Sequence, residues 1–363
     1  MKKNNFCIIM AGGIGSRFWP MSTADRPKQF LDICGSGETL IQNTVKRFER
    51  VCPSENIFIV TNERYKELIM EQLPQLTEMQ IICEPFRRNT APCIAYANYK
   101  IRNINPDANI VVAPSDHIIL NEDEFIRILN VALDASAKTN ALYTLGINPS
   151  RPETGYGYIQ FDELGSQDVE NKIYKVKTFT EKPIYEMAVQ FLQSGDFLWN
   201  SGLFIWNLKA IDQAFRSFLP EIYELFDEGV SCINKPSEDL FIRKVYEVCR
   251  SISIDYGIME KADNVFVLAS DFGWSDLGTW GSLHELRKKD ENQNVITGKN
   301  IKLYDTKNSI VSMPKDKLVV IQGLDDYIVV ENNNVLLICK KQDEQLIRQF
   351  VNDVQAELGD KYI

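Results

Sequence analysis

From residue 6 to about 147, short runs of β-branched and apolar residues at 6–10, 57–61, 79–83, 110–113 and 141–147 alternate with stretches such as 40–51 and 125–137, whose apolar residues recur at helical spacing. Strands alternating with helices predict an α/β fold built on a mostly parallel sheet with helices on both faces. From residue 156 to about 286 the pattern loosens, with strand-like runs at 157–161, 175–180 and 203–206 between amphipathic helices. These extend the same sheet and wall a cleft. After about residue 294 the runs shorten and crowd together, at 310–312, 318–321, 327–330 and 335–339, and a terminal helix begins near 343. Two domains are expected, 1–290 and 291–363. Runs recurring at roughly eight to ten residues admit either a short β-solenoid or a small sandwich for the second.

A chain of 363 residues, 44% of them hydrophobic, can bury one large core and a smaller one. Its net charge of -10 repels the backbone of a nucleic acid, so nucleic acid is not an expected partner and any bound phosphate needs a local arrangement to hold it. The eight cysteines include no CxxC pair and sit mostly inside apolar runs, which predicts buried free thiols and a reducing, cytoplasmic setting. Lys2 and Lys3 precede an apolar run, but the run is short and ends in glycines, so it reads as a first strand rather than a secretion signal. Nothing else approaches the roughly 20 apolar residues that cross a bilayer, and no membrane partner is expected.

Directly after the first strand come Ala11-Gly12-Gly13-Ile14-Gly15-Ser16-Arg17, then Phe18-Trp19-Pro20, with Pro27-Lys28-Gln29-Phe30 following. Gly12, Gly13 and Gly15 let the backbone approach a polyphosphate and aim N–H groups at its oxygens, while Arg17 and Lys28 add positive charge. The loop lacks the Gly-Lys-Ser/Thr of a Walker loop and the GxGxxG of a dinucleotide site, yet suits a nucleoside triphosphate.

The run AGGIGSRFWP with PKQF, then EPFRRNTAP, PSDH, TGYGYI, FTEKP, WNSGLF, SIDYGIMEK and WSDLGTW, in that order to about Trp280, resembles the mannose-1-phosphate guanylyltransferases, a family of sugar-1-phosphate nucleotidyltransferases. The resemblance implies a nucleotide-binding α/β domain followed by a small left-handed β-helix, and so favours the solenoid for the tail. It also implies a homodimer.

Asp116 follows a strand, where open α/β sheets place their ligands, and Asp276 is a second carboxylate far along the chain. Such a pair fits Mg²⁺, which takes one or two carboxylates together with phosphate oxygens and water, and the resemblance implies the same two positions. Glu84 opens the segment that continues through Pro85, Asn89 and Thr90, after a strand and before a helix that Thr90 is placed to cap. Guanine presents adjacent N1–H and N2–H donors, and a carboxylate is their natural acceptor, which assigns Glu84 to the base. The resemblance places Tyr156, Gly157, Glu181, Lys182, Asn200 and Ser201 around the sugar. Asp255, Tyr256, Glu260 and Lys261 match the family too, with cleft support as their default role.

The expected reaction joins GTP and mannose 1-phosphate to give GDP-mannose and pyrophosphate. The sugar phosphate, with a second pKa near 6, is already largely dianionic and attacks the α-phosphorus without a general base. Catalysis is then positioning and charge stabilisation, with Arg17 and Lys28 on the outer phosphates, Lys182 on the incoming phosphate and Mg²⁺ at Asp116 and Asp276. Three alternatives stand beside it: transfer to another hexose phosphate, a sugar-nucleotide sensor without turnover, and a bifunctional enzyme with isomerase activity. The retained Arg17, Lys28, Asp116, Lys182 and Asp276 argue against the sensor, and the chain length argues against the isomerase.

Overall fold

Nine strands form the main sheet of the computed structural model, which describes residues 3–363; Lys2 of the N-terminal basic pair lies outside the described residues. They are β1 (Asn5–Met10), β2 (Ile57–Asn62), β3 (Ile81–Glu84), β4 (Asn109–Pro114), β5 (Leu142–Ile147), β6 (Gly157–Asp162), β7 (Ile173–Glu181), β8 (Phe197–Asn207) and β9 (Val265–Ser270). Their order across the sheet is β3-β2-β1-β4-β8-β5-β9-β7-β6. The first four strands are parallel, as expected from their continuous apolar runs, which suit burial on both faces. Beyond them the sheet is mixed. β8 enters antiparallel between β4 and β5, β9 runs parallel to β5, and β6 and β7 form an antiparallel edge.

The chain divides into two compact units that do not follow its order. The sheet unit comprises the chain up to Gly12, Thr44–Ser115 and Ile119–Trp274; the other comprises Gly13–Asn43, Asp116–Ile118 and Ser275–Ile363. In the sheet unit, helix Thr90–Ile104 is buried on all sides over residues 91–99, and again at Ile101, in a core shared with Trp206, Phe226 and Tyr246. Register fixes where this unit presents its functional edge. Met10 pairs with Val60 and Asn62 with Glu84, so the chain leaves β1 and β3 at the carboxyl ends of parallel strands. That edge is where sheets of this type bind ligands.

In the second unit, strands Val295–Thr297, Ile310–Ser312 and Tyr327–Asn332 stack in parallel, with Val295, Ile310 and Ile328 in line. Asn300–Tyr304 and Leu318–Gln322 pair in parallel on another side. Parallel stacking of successive turns is a solenoid; a sandwich would use antiparallel sheets. Only the last strand, Val335–Lys340, turns back antiparallel. The solenoid residues Val295, Ile310 and Ile328 share a core with Phe18 and Trp19 of the glycine loop, Trp280, and Ile347 of the terminal helix Ile347–Leu358. The Phe18 and Trp280 rings lie 5.0 Å apart. Trp19 Nε1 donates to Tyr362 O at 2.7 Å, and Asn332 Nδ2 to Pro20 O at 2.9 Å, so the chain's last residues and the solenoid both hold the loop. No helix among the described residues is long and apolar enough to cross a membrane.

Candidate active site

The loop begins pinned to the sheet. Ala11 N donates to Val60 O at 2.7 Å and Thr61 Oγ1 to Ala11 O at 3.0 Å. Gly15 then takes a left-handed conformation, φ 67°, and a Cβ there would lie 2.7 Å from Lys28 Cβ. Only glycine meets both demands. Ser22 Oγ donates to Ile14 O at 2.7 Å and Gln29 Nε2 to Gly13 O at 3.0 Å, fixing the loop's carbonyls. The loop's Gly13, Gly15, Ser16 and Arg17, with Lys28, Asp116 and Asp276, line one pocket of about 370 Å³, wholly within the second unit. The residues expected to handle phosphate and metal are thus brought together although they lie far apart in sequence.

Lys28 is buried, and its ammonium meets Asp116 Oδ2 at 3.0 Å, Asp276 O at 2.9 Å and Leu277 O at 2.8 Å. Three acceptors match the three N–H donors of an ammonium, so Lys28 ties Asp116 to the Asp276 backbone at the edge of the pocket. Burial pushes the Asp116 carboxyl upward, but the Lys28 ammonium and the neighbouring His117 outweigh it and hold the group below the ordinary carboxylate range. Asp276 Oδ1 accepts from Gly278 N at 2.9 Å, and a Cβ at Gly278 would press on Asp276 Oδ2 at 2.6 Å. Two carboxylates beside a glycine loop suit a divalent cation that completes its shell with oxygens from elsewhere. Among the described residues no group of three or more His, Cys, Asp or Glu could hold a metal, so a closed all-protein site is not the arrangement offered.

In the sheet unit, Glu84 ends β3 and is buried, not a surface carboxylate. Its Oε1 accepts from the fully buried Tyr246 hydroxyl at 2.9 Å, and a Cβ placed on Gly12 would lie 3.9 Å from its Oε2. Burial pushes the Glu84 carboxyl up to about 7, against the pull of the Tyr246 hydrogen bond and the Arg87 charge. Pro85 follows, half-buried. Asn89, at φ 67°, supplies the cap of helix Thr90–Ile104, its side chain accepting from Thr90 N at 2.9 Å. This corrects the expectation that Thr90 caps. Thr90 is the first helical residue, and its Oγ1 instead accepts from Ile254 N at 2.9 Å, anchoring the segment before Asp255.

The sugar-side residues gather where β6, β7 and β8 meet. A Cβ on Gly157 would fall 2.5 Å from Glu181 Oε2 and 3.3 Å from Asn200 Cβ, so glycine is what allows these three to converge. The Tyr156 ring stands edge-on to Trp199 at 5.2 Å and to Trp274 at 5.1 Å. Lys182 is exposed and pairs with Glu181. Asn200 Nδ2 donates to Asp255 Oδ1 at 2.8 Å. Burial, then the Glu181 charge, pushes Asp255 up to about 6 against the Asn200 hydrogen bond. Ser201 does not offer its hydroxyl to a ligand: it is buried, donating to Leu145 O at 2.6 Å and accepting from Leu203 N at 3.3 Å. Its role is to lock β8 to β5.

Two residues, Tyr246 and Arg348, escaped sequence reasoning, and a third, Asp255, was named without its partner. Tyr246 reads as a core position of the amphipathic helix Glu238–Val248, and nothing local signals its bond to Glu84. Asp255 belongs to a legible motif, but its contact with Asn200 is tertiary. Arg348, in the terminal helix, lines the phosphate-loop pocket, and no motif marks it.

Residues 6–293 match the nucleotidyl transferase family, and residues 298–354 match a MannoseP isomerase/GMP-like beta-helix domain. The fold and site therefore define a nucleotidyl transferase with a C-terminal β-helix. A mannose-1-phosphate guanylyltransferase of Salmonella muenchen is 35% identical over 354 residues, 96% of this chain and 73% of that protein. Another, from Klebsiella pneumoniae, is 35% identical over 358 residues, 98% of this chain and 75% of that protein. The solved mannose-1-phosphate geranyltransferase of Thermus thermophilus superposes with a TM-score of 0.86 at 28% identity, covering 97% of this chain and 99% of that one. The chain belongs to the mannose-1-phosphate guanylyltransferase family.

Proposed function

We propose that the chain converts GTP and α-D-mannose 1-phosphate to GDP-mannose and pyrophosphate. The dianionic sugar phosphate forms a bond from its oxygen to the α-phosphorus while the bond to the departing pyrophosphate breaks, and no general base takes part. In this reading the glycine loop and Arg17 hold the triphosphate, Glu84 and the Pro85–Thr90 segment read guanine, and Lys182 meets the incoming phosphate. Tyr156, Gly157, Glu181 and Asn200 frame the sugar, with Asp255 orienting Asn200. Lys28 positions Asp116. Mg²⁺, when bound at Asp116 and Asp276, neutralises charge on the reacting phosphates.

The observation that carries this reading is the single pocket that unites the loop with Asp116 and Asp276 in a chain of this family. The four buried thiols Cys7, Cys52, Cys93 and Cys249 suit a reducing cytoplasm. A pyrophosphate-release assay crossing the common nucleoside triphosphates with the common hexose 1-phosphates tests the assignment. GTP with mannose 1-phosphate should be the best pair and should stop when the metal is chelated. Equal or better turnover with TTP and glucose 1-phosphate would overturn the substrate assignment.

A further inference from the structure

Lys28, its ammonium on Asp116 and two carbonyls, and Arg17 are two cations of the phosphate-loop pocket. The carboxylates of Asp116 and Asp276 line the same pocket and offset those two charges, so a triphosphate bound there draws on further cations. Arg348 lines it too. Its side chain is exposed and makes no hydrogen bond or ion pair among the described residues. It occupies the second position of helix Ile347–Leu358, whose first turn carries no acidic residue. Its place is nevertheless fixed, because the preceding Ile347 is fully buried in the core that holds Phe18 and Trp280.

We propose that Arg348 is a substrate-contacting residue that binds the β- and γ-phosphates of the nucleoside triphosphate and stabilises the pyrophosphate as it leaves. The inference rests on the proposed assignment of this pocket to the triphosphate. A planar guanidinium presents paired donors that match phosphate oxygens, and these outer phosphates carry the charge that grows as the bond to the α-phosphorus breaks. The β-helix unit then contributes to the chemistry directly, through its terminal helix.

The test compares the full-length wild type with Arg348→Gln and Arg348→Lys. Calorimetric titration with Mg²⁺ measures dissociation constants for GTP, GMP and GDP-mannose; the reverse reaction at saturating GDP-mannose gives KM for pyrophosphate. Arg348→Gln should weaken GTP and pyrophosphate by about ten- to a hundredfold, the loss of charge-assisted hydrogen bonds, while GMP and GDP-mannose stay within about twofold. Arg348→Lys should recover part of the loss. GTP and pyrophosphate unchanged in the Gln variant would overturn the inference, as would an equal loss for GMP, which lacks the outer phosphates. The GTP-to-GMP comparison needs no turnover, so failure of the wild type to form GDP-mannose would sink the assigned reaction separately.

Discussion

Glu84→Gln should make the protein more stable at alkaline pH and a poorer enzyme at the same time. In the native protein burial raises the carboxyl from 4.5 to about 7. Below the lower value the group is protonated in both states and contributes no difference. Between the two, the unfolded chain has released its proton while the folded protein keeps it, so stability falls as pH rises. Above about 7 the folded protein holds a buried anion at full cost, roughly 3 kcal/mol from 1.36 kcal/mol per pH unit. Glutamine has the same shape, still accepts from Tyr246 and carries no charge, so the variant escapes that penalty. Urea unfolding should show little difference between the two proteins at pH 5 and a gain for the variant approaching about 3 kcal/mol at pH 8. Catalysis should move the other way. The introduced glutamine replaces one acceptor oxygen with an NH₂ group that faces a guanine donor, lowering kcat/KM for GTP by roughly 2–4 kcal/mol, a thirtyfold to several-hundredfold loss. Inosine triphosphate, which keeps N1–H and lacks the 2-amino group, should suffer less, so the gap between the two nucleotides narrows. An unchanged GTP preference would move base recognition to the backbone near Asn89 and Thr90. An unchanged pH dependence of stability would show that the carboxylate is hydrated in the folded state.

Asp276→Asn and Asp116→Asn should each lower turnover by about a hundredfold or more, measured by pyrophosphate release across a Mg²⁺ titration; near-normal rates at low magnesium would exclude both as metal ligands. Asp116→Asn should also cost about 3 kcal/mol of stability, because it leaves the buried Lys28 ammonium without its counter-charge. Lys28→Met should cost a similar amount, and the double variant with Asp116→Asn less than the two singles together by about 1 kcal/mol or more. Strict additivity in denaturant unfolding would mean that the ion pair does not hold this part of the loop.

Strand periodicity made the first half of the sheet legible because β1, β2 and β4 are buried on both faces and their apolar runs are uninterrupted. The solenoid was harder to read. Asn300–Tyr304 alternates exposed with half-buried positions, and Val295–Thr297 buries a single residue, so neither stands out as a strand, whereas the run at 318–321 does. The antiparallel entry of β8 between β4 and β5 is a choice made by tertiary packing, in which Ser201 bonds Leu145, and no local propensity encodes it.

The site divides along a similar line. Residue types that advertise chemistry by themselves, glycines followed by Arg17, or an Asp just beyond a strand, stand out in the sequence, and the fold brings them to one pocket. What sequence could not assign was the partner of each charge. The Lys28 ammonium lies on three acceptors and Arg348 lines the phosphate-loop pocket, and neither placement is marked locally in the sequence. Both have one physical source. A cation's availability depends on whether its donors are already satisfied within the fold, and satisfaction is a property of residues hundreds of positions apart. Lys28 and Leu277 are 249 residues distant, yet they meet at 2.8 Å, and no local pattern in either segment encodes that contact.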